Sequence, residues 1–176
     1  MREPAPTSND TDLPIESLSF TLHVLSVMDK AVRIIDANTN RSREGLRVVE
    51  DLVRFVLDDK DLASRIKIMR HQITSLIQQL PLGDSQLLAA RDSQSDVGMA
   101  INCASEDRRV DLSQIATANI RRSQEAMRVL EELSKLYDAN VASQFKKLRF
   151  QIYDLEKEIL PELAEYQTRS TDAKGG

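Results

Sequence analysis

One stretch of this chain is present twice. Residues 37–52, Ala-Asn-Thr-Asn-Arg-Ser-Arg-Glu-Gly-Leu-Arg-Val-Val-Glu-Asp-Leu, align with residues 118–133, Ala-Asn-Ile-Arg-Arg-Ser-Gln-Glu-Ala-Met-Arg-Val-Leu-Glu-Glu-Leu, with nine identities in sixteen positions. The match resumes downstream. Ala63, Ser64, Lys67, Arg70, Gln72 and Ile73 correspond to Ala142, Ser143, Lys146, Arg149, Gln151 and Ile152. The register changes by two residues between the blocks, so the connecting turns differ in length. A repeated unit with one apolar face buries that face best against its own copy, and this limits the architectures open to the chain.

Each copy reads as two helices. In the first, Ile35, Leu46, Val49, Leu52, Val53 and Val56 recur at helical spacing. Asp58 and Asp59 offer an N-cap for a second helix from about Leu62 to Leu80, which Pro81-Leu82-Gly83 stops. In the second copy, Asp111 with Gln114 resembles a capping box, so a third helix should start near Leu112 and run to about Tyr137. Asp138-Ala139-Asn140 reads as a turn and cap, with a fourth helix from Val141 that Leu160-Pro161 ends or kinks. Between the copies, Leu87-Leu88-Ala89-Ala90 suits a short helix, and residues 91–98 form a polar loop with a turn glycine, Gly98. Five glycines, five prolines and no tryptophan in 176 residues favour long helices over strands. The expected fold is all-α: a four-helix bundle of two repeated helical hairpins with pseudo-two-fold symmetry and a long central loop.

The domain limits follow. Residues 1–27 form an N-terminal extension outside the core. Residues 1–13, with Pro4, Pro6 and Pro14 close by, have a disordered composition, and Met28 is a candidate start of the folded part. One helical domain then covers 28–167: repeat one to about 80, the loop over 81–110, and repeat two over 111–167. Residues 168–176 make a frayed polar tail.

Several function classes are disfavoured. A net charge of −4 speaks against bulk nucleic-acid binding, which needs a positive face. The apolar stretch 18–28 is shorter than a membrane span and lacks a basic leader, so neither a membrane protein nor a secretory signal is expected. Cys103 has no internal disulfide partner, which fits the cytoplasm, and no partner histidine that would make it a nucleophile. No zinc-type Cys/His spacing and no Walker or dinucleotide glycine motif occurs. His71 on a bundle helix would suit a phosphorelay, but its counterpart is Phe150, which points to a core or rim position instead. His23 lies outside the repeated core.

The candidate chemistry sits on the duplicated faces and in the loop. Asn38 and Ser42, with Asn119 and Ser123, fall inside the apolar arcs of their helices, with Gly45 and Ala126 leaving room beside them. Buried amides need partners. These four residues are either register pins or the wall of a polar pocket near the pseudo-dyad. Arg41 and Arg122, at the edges of those arcs, are placed to bind phosphate, for which a guanidinium fork is suited. Glu44 with Arg47, and Glu125 with Arg128, read as surface ion pairs, and Glu50-Asp51 and Glu131-Glu132 as solvated faces. In the loop, Asp92 and Asp96 lie four residues apart and suit Mg²⁺, and Arg91 is a further phosphate ligand; a plain surface turn is the alternative.

These residues also carry a resemblance. Arg33-Ile34-Ile35-Asp36-Ala37-Asn38, residues 40–51, Phe55-Val56-Leu57-Asp58-Asp59, Leu88-Ala89-Ala90-Arg91-Asp92, Asp96-Val97-Gly98, Ala118-Asn119 with Arg122, residues 125–132 and Lys135-Leu136-Tyr137-Asp138 resemble the helical domain found N-terminal to thiamine-phosphate synthase in cyanobacteria and some other bacteria. The resemblance covers about residues 28–166. It implies a hydroxymethylpyrimidine-phosphate kinase, which uses ATP and Mg²⁺ to make the diphosphate that the synthase consumes. Ser93-Gln94-Ser95 stands where Thr-Pro-Gly is usual, and Met99 where Thr is common, which loosens the turn and removes a hydroxyl. No synthase barrel follows residue 176, so a free-standing protein and a piece of a fusion are both open. Under this reading Arg41, Arg91 and Arg122 hold phosphates. Asp92 and Asp96 bind Mg²⁺ or take the hydroxyl proton, and Asn38 and Asn119 meet the aminopyrimidine edge or orient the phosphate-binding arginines. The rival is a non-catalytic helical module that docks on thiamine-phosphate synthase or forms a homodimer.

Overall fold

The computed structural model describes residues 15–97 and 109–172, with side chains placed over 27–97 and 109–170. Expectations for residues 1–14, Gly98, Met99, Cys103, the side chain of His23 and the last four residues lie outside the described residues. All the regular structure described is helical: α1 (Ile15–Leu52), a π-helical turn (Val53–Leu57), α2 (Lys60–Gln79), the short α3 (Asp84–Ala90), α4 (Leu112–Ser134) and α5 (Ala139–Asp172). No helix of the described residues is long and apolar enough to cross a membrane.

Helix ends follow side-chain chemistry. The Asp59 carboxylate accepts the N–H groups of Asp61 and Leu62, both at 2.8 Å, and so starts α2. Asp111 accepts the Gln114 N–H at 2.7 Å at the start of α4, and Asp138 accepts that of Asn140 at 2.7 Å at the start of α5. The fourth long helix was expected to end or kink at Pro161. It continues through Pro161 to Asp172, into the stretch expected to fray. Ile159 and Leu163 flank the proline and are both fully buried, so carrying the helix onward stabilises it. Pro161 and Lys157 lie on the solvent side of the helix, where a carbonyl left without its helical N–H costs least. The third helix stops at Ser134 rather than Tyr137 and tightens into i to i+3 bonds at Lys135, Leu136 and Tyr137.

The extra length of the first copy is taken up between α1 and α2. There Val53–Leu57 winds as a π turn, Asp58 adopts a left-handed conformation (φ 54°), and the N–H groups of Asp58 and Asp59 both reach the Val53 carbonyl. α1 begins at Ile15, thirteen residues before Met28.

The core is built from the periodic positions. Ile35, Leu46 and Val49 face inward from α1 and Val53 from the π turn, with Leu52 and Val56 packed at the edge of the core. Ile66 and Ile73 of α2, Ile120, Met127 and Leu130 of α4, and Phe145, Ile152 and Leu155 of α5 complete it. α1 packs on α2, α3 and α4; α5 packs on α4 and α2. Arg65 of α2 grips Glu158 of α5 through two contacts of 2.5 and 2.7 Å. That guanidinium holds the Glu158 carboxyl below its usual range.

Two expectations about surface charge are corrected. Glu50 and Glu131 are not solvated: each is 5% exposed. Arg47 and Arg128 pair forward rather than back to Glu44 and Glu125. Arg47 meets Glu50 (3.5 Å) and Asp51 (3.3 Å); Arg128 meets Glu131 (2.6 Å) and Glu132 (2.9 Å). A second arginine, from the next helix of the same hairpin, explains the burial. Arg70 reaches Glu50 at 2.6 Å, and Arg149 donates two N–H groups to Glu131 at 2.9 and 3.1 Å. A buried carboxylate persists only when paired in this way. His71 and Phe150 are both exposed, which puts that pair of positions on the rim.

Candidate functional site

The duplicated polar residues meet where α1 crosses α4. Ser42 and Ser123 are fully buried there, and the Ser123 hydroxyl donates to the Ser42 carbonyl at 3.2 Å and to the Asn119 carbonyl at 2.9 Å. The Ser42 hydroxyl donates to the Thr39 carbonyl at 2.9 Å. Gly45 makes the crossing close, since a Cβ built on it would lie 2.5 Å from the Ser123 Oγ and 2.7 Å from the Asn119 carbonyl oxygen. The room left by this glycine is therefore filled by α4.

Asn38 and Asn119 do not bond each other. Each donates its side-chain amide to a carbonyl one turn back in its own helix, Asn38 to Ile34 (2.8 Å) and Asn119 to Ile115 (2.9 Å). Asn119 lies opposite Gly45, and seven residues of α1 separate Gly45 from Asn38, about 10 Å of helix. The two amides sit on opposite sides of the serine contact.

Arg41 and Arg122 hold equivalent places beside Ser42 and Ser123. Both are exposed, and among the described residues neither has an ion-pair or hydrogen-bond partner. Most other arginines of the described helices are engaged by carboxylates, so these two charges are available to a ligand.

The loop of residues 91–97 is fastened to α1. Arg91 donates to both oxygens of Asp36, at 2.9 and 2.8 Å. These bonds and the Asp36 charge raise the Arg91 pKa further. Arg33 reaches back to the Asp92 carbonyl at 2.6 Å and lies 3.7 Å from its carboxylate. The Ser95 hydroxyl and N–H both donate to Asp92. Those bonds, with the Arg33 charge, hold the Asp92 carboxyl below its ordinary value. Asp96 is exposed in the same loop. Among the described residues no three His, Cys, Asp or Glu side chains gather to hold a metal ion. Beside the loop, Asp36, Asn40, Arg43, Thr74, Asp84 and Arg91 line a cleft of about 190 Å³ between α1, α2 and α3. The Arg43 Nε is buried there without a partner.

Asp36 and Arg33 escaped the reading of the sequence because their partners are 55 and 59 residues away. Arg70 and Arg149 were visible as identities of the repeat, but nothing local linked them to the two buried glutamates.

Comparison with known proteins gives a consistent set of relatives. The chain is 38% identical over 139 residues to thiamine-phosphate synthase of Rhodopirellula baltica, covering 79% of this chain and 36% of that protein. It is 42% identical over 128 residues to thiamine-phosphate synthase of Synechocystis sp., covering 73% of this chain and 36% of the relative. Thiamine-phosphate synthase of Nostoc punctiforme is 38% identical over 134 residues, covering 76% and 36%. The chain thus spans about a third of the length of the curated relatives it matches. No solved structure matches it. A family model described as the ThiD2 family matches residues 33–158, most of the chain, and the protein therefore belongs to the ThiD2 family.

Proposed function

We propose that this protein is an ATP-dependent kinase that converts hydroxymethylpyrimidine phosphate to its diphosphate in thiamine biosynthesis. Relatives named for thiamine-phosphate synthesis support the pathway, since the diphosphate is what such a synthase consumes. The observation that carries the reading is the pair Arg41 and Arg122, two unpaired guanidinium groups at equivalent places on the exposed face of the α1–α4 contact. Both substrates are polyanions, and phosphoryl transfer is mainly positioning and charge neutralisation.

In this reaction an oxygen of the pyrimidine phosphate attacks the γ-phosphorus of ATP, and the bond from that phosphorus to the ADP oxygen breaks. The acceptor oxygen is already anionic near neutral pH, so no hydroxyl proton has to be removed. Asp92 and Asp96 therefore have no proton to take as general bases. Their remaining role is as oxygen donors to Mg²⁺, which takes one or two carboxylates alongside substrate phosphates. When bound, that ion would neutralise charge on the transferred group. Arg91 is held by Asp36 beside the cleft between α1, α2 and α3, away from Arg41 and Arg122, and can exchange that carboxylate for a phosphate. One of the two side-chain N–H groups of Asn38 and of Asn119 is spent on its own helix, which leaves the second N–H and the oxygen of each for the aminopyrimidine.

The fold reading that accompanies this function is a four-helix bundle of α1, α2, α4 and α5 with a pseudo-two-fold axis. Two facts support it. Ser42 touches its repeat equivalent Ser123, and Gln72 shares a cleft with its equivalent Gln151. A cytoplasmic setting, where ATP is plentiful, goes with the same reading.

The test is ADP release by the purified protein with hydroxymethylpyrimidine phosphate, against a control without acceptor. Acceptor-dependent ADP with diphosphate product supports the kinase. A folded helical protein that releases no ADP is instead a binding module, and co-purification with thiamine-phosphate synthase then tests that rival.

A further inference from the structure

We infer that the cleft where the π turn joins α2 is a binding site for a phosphoryl group, separate from Arg41 and Arg122. Arg54, Lys60, Ser64 and Lys67 line it, with Glu50, Asp58 and Asp59, around about 480 Å³. Its cations are unspent. Among the described residues Lys60 and Lys67 have no ion-pair partner, and Arg54 is engaged only by the Phe55 ring, 4.8 Å from its guanidinium carbon. Of its carboxylates, Glu50 is neutralised by Arg70 and Arg47, and Asp59 is turned to the backbone N–H groups that it caps. Three positive groups face two carboxylates without an ion-pair partner among the described residues, Asp58 and the α2 cap Asp59, in a protein whose net charge is −4. A cleft with that balance concentrates anions.

The repeat supplies an independent observation. Of the identities in its second block, Ala142, Ile73 and Ile152 are buried, and Arg70 and Arg149 clamp the buried glutamates. Ser64 and Lys67 recur as Ser143 and Lys146 and, like Gln72 and Gln151, are exposed and make no side-chain hydrogen bond among the described residues. Packing does not require a hydroxyl and an ammonium group one turn apart at these positions; a phosphoryl ligand does.

This site does not depend on the kinase reading, since any phosphate monoester or polyphosphate has the required chemistry. The test uses isotope-labelled protein titrated with inorganic tripolyphosphate while backbone amide shifts are followed. Saturable shifts over residues 60–67 are expected. They should persist in the Arg41→Ala, Arg122→Ala double variant, and Kd should rise at least tenfold in Arg54→Gln, Lys67→Gln. Both substituted residues are exposed, and circular dichroism checks that the helices remain. Competition then identifies the source: displacement by ATP assigns the site to nucleotide phosphates, and displacement by a pyrimidine monophosphate assigns it to the acceptor. Shifts confined to Arg41 and Arg122, an unchanged Kd in Arg54→Gln, Lys67→Gln, or displacement by neither compound would each overturn the inference.

Discussion

Gly45 of α1 sits so close to Asn119 of α4 that a methyl group on the glycine would lie 2.7 Å from the asparagine carbonyl oxygen. That oxygen is backbone and cannot turn away. Alanine at position 45 would favour the helix by about 1 kcal/mol in isolation. Separating two packed helices costs more, about 1–3 kcal/mol, so Gly45→Ala should be a net destabilisation. Thermal unfolding measures it, and an unchanged or higher Tm would mean that the helices are not in this contact.

The two buried glutamates should not be equally sensitive. Arg149 gives Glu131 two N–H groups, donates to the Tyr153 hydroxyl at 3.2 Å, and stacks near the Phe150 and Tyr153 rings. Arg70 gives Glu50 one N–H, and its Nε is buried without a partner. Stripping one partner from a buried pair costs about 3–5 kcal/mol. Arg128 stays on Glu131 and Arg47 on Glu50, so Arg149→Ala should cost less than that, and Arg70→Ala less still. Denaturant midpoints of the two variants check the order, and the reverse order would show that the aromatic contacts contribute little.

Much of the fold was legible because both copies of the repeat carry the same periodic stripe. Ile35, Leu46 and Val49 declared the inner face of α1, and Asp59, Asp111 and Asp138 declared the helix starts. The burial of Glu50 and Glu131 was not legible. A glutamate beside an arginine on one helix looks solvated until a second arginine arrives from the neighbouring helix. Pro161 does not end α5 for a related reason: the demand of Leu163 for burial outweighs the local break, and that demand exists only once α5 has partners. Of the candidate site, the serine contact and the free arginines were marked by duplication. The docking of Arg91 on Asp36 was hidden by sequence distance.

The loop should respond to acid through Asp92. Its carboxyl lies below the ordinary value of 3.8 because Ser95 donates to the ionised form, aided by the Arg33 charge. A group whose pKa is lowered by folding gives its full contribution above the unfolded value and loses it as pH falls through the folded value. The turn at residues 92–95 should therefore be intact at pH 5 and open only below the normal carboxylate range. Ser95→Ala should move the Asp92 pKa back up. Carboxyl-carbon NMR titration reads both, and an Asp92 pKa indifferent to Ser95 would contradict the hydrogen-bonded turn.

Arg41 and Arg122 test the symmetry of the catalytic reading. Each is exposed and unpaired, so alanine at either position should change stability by less than about 0.5 kcal/mol. If both guanidinium groups clamp one phosphate, each single variant should lose most of the kcat, and the double variant should lose little more, as groups that act as a unit do. If they hold different substrates, one variant should raise KM for ATP, the other KM for the pyrimidine phosphate, and the losses should multiply. About 10 Å of helix separates Asn38 from the level of Asn119, and the arginines beside Ser42 and Ser123 lie nearer the middle of that span. The first pattern is therefore expected. Steady-state kinetics on the three variants distinguishes the patterns, and three variants with wild-type kcat and KM would remove this face from the reaction altogether.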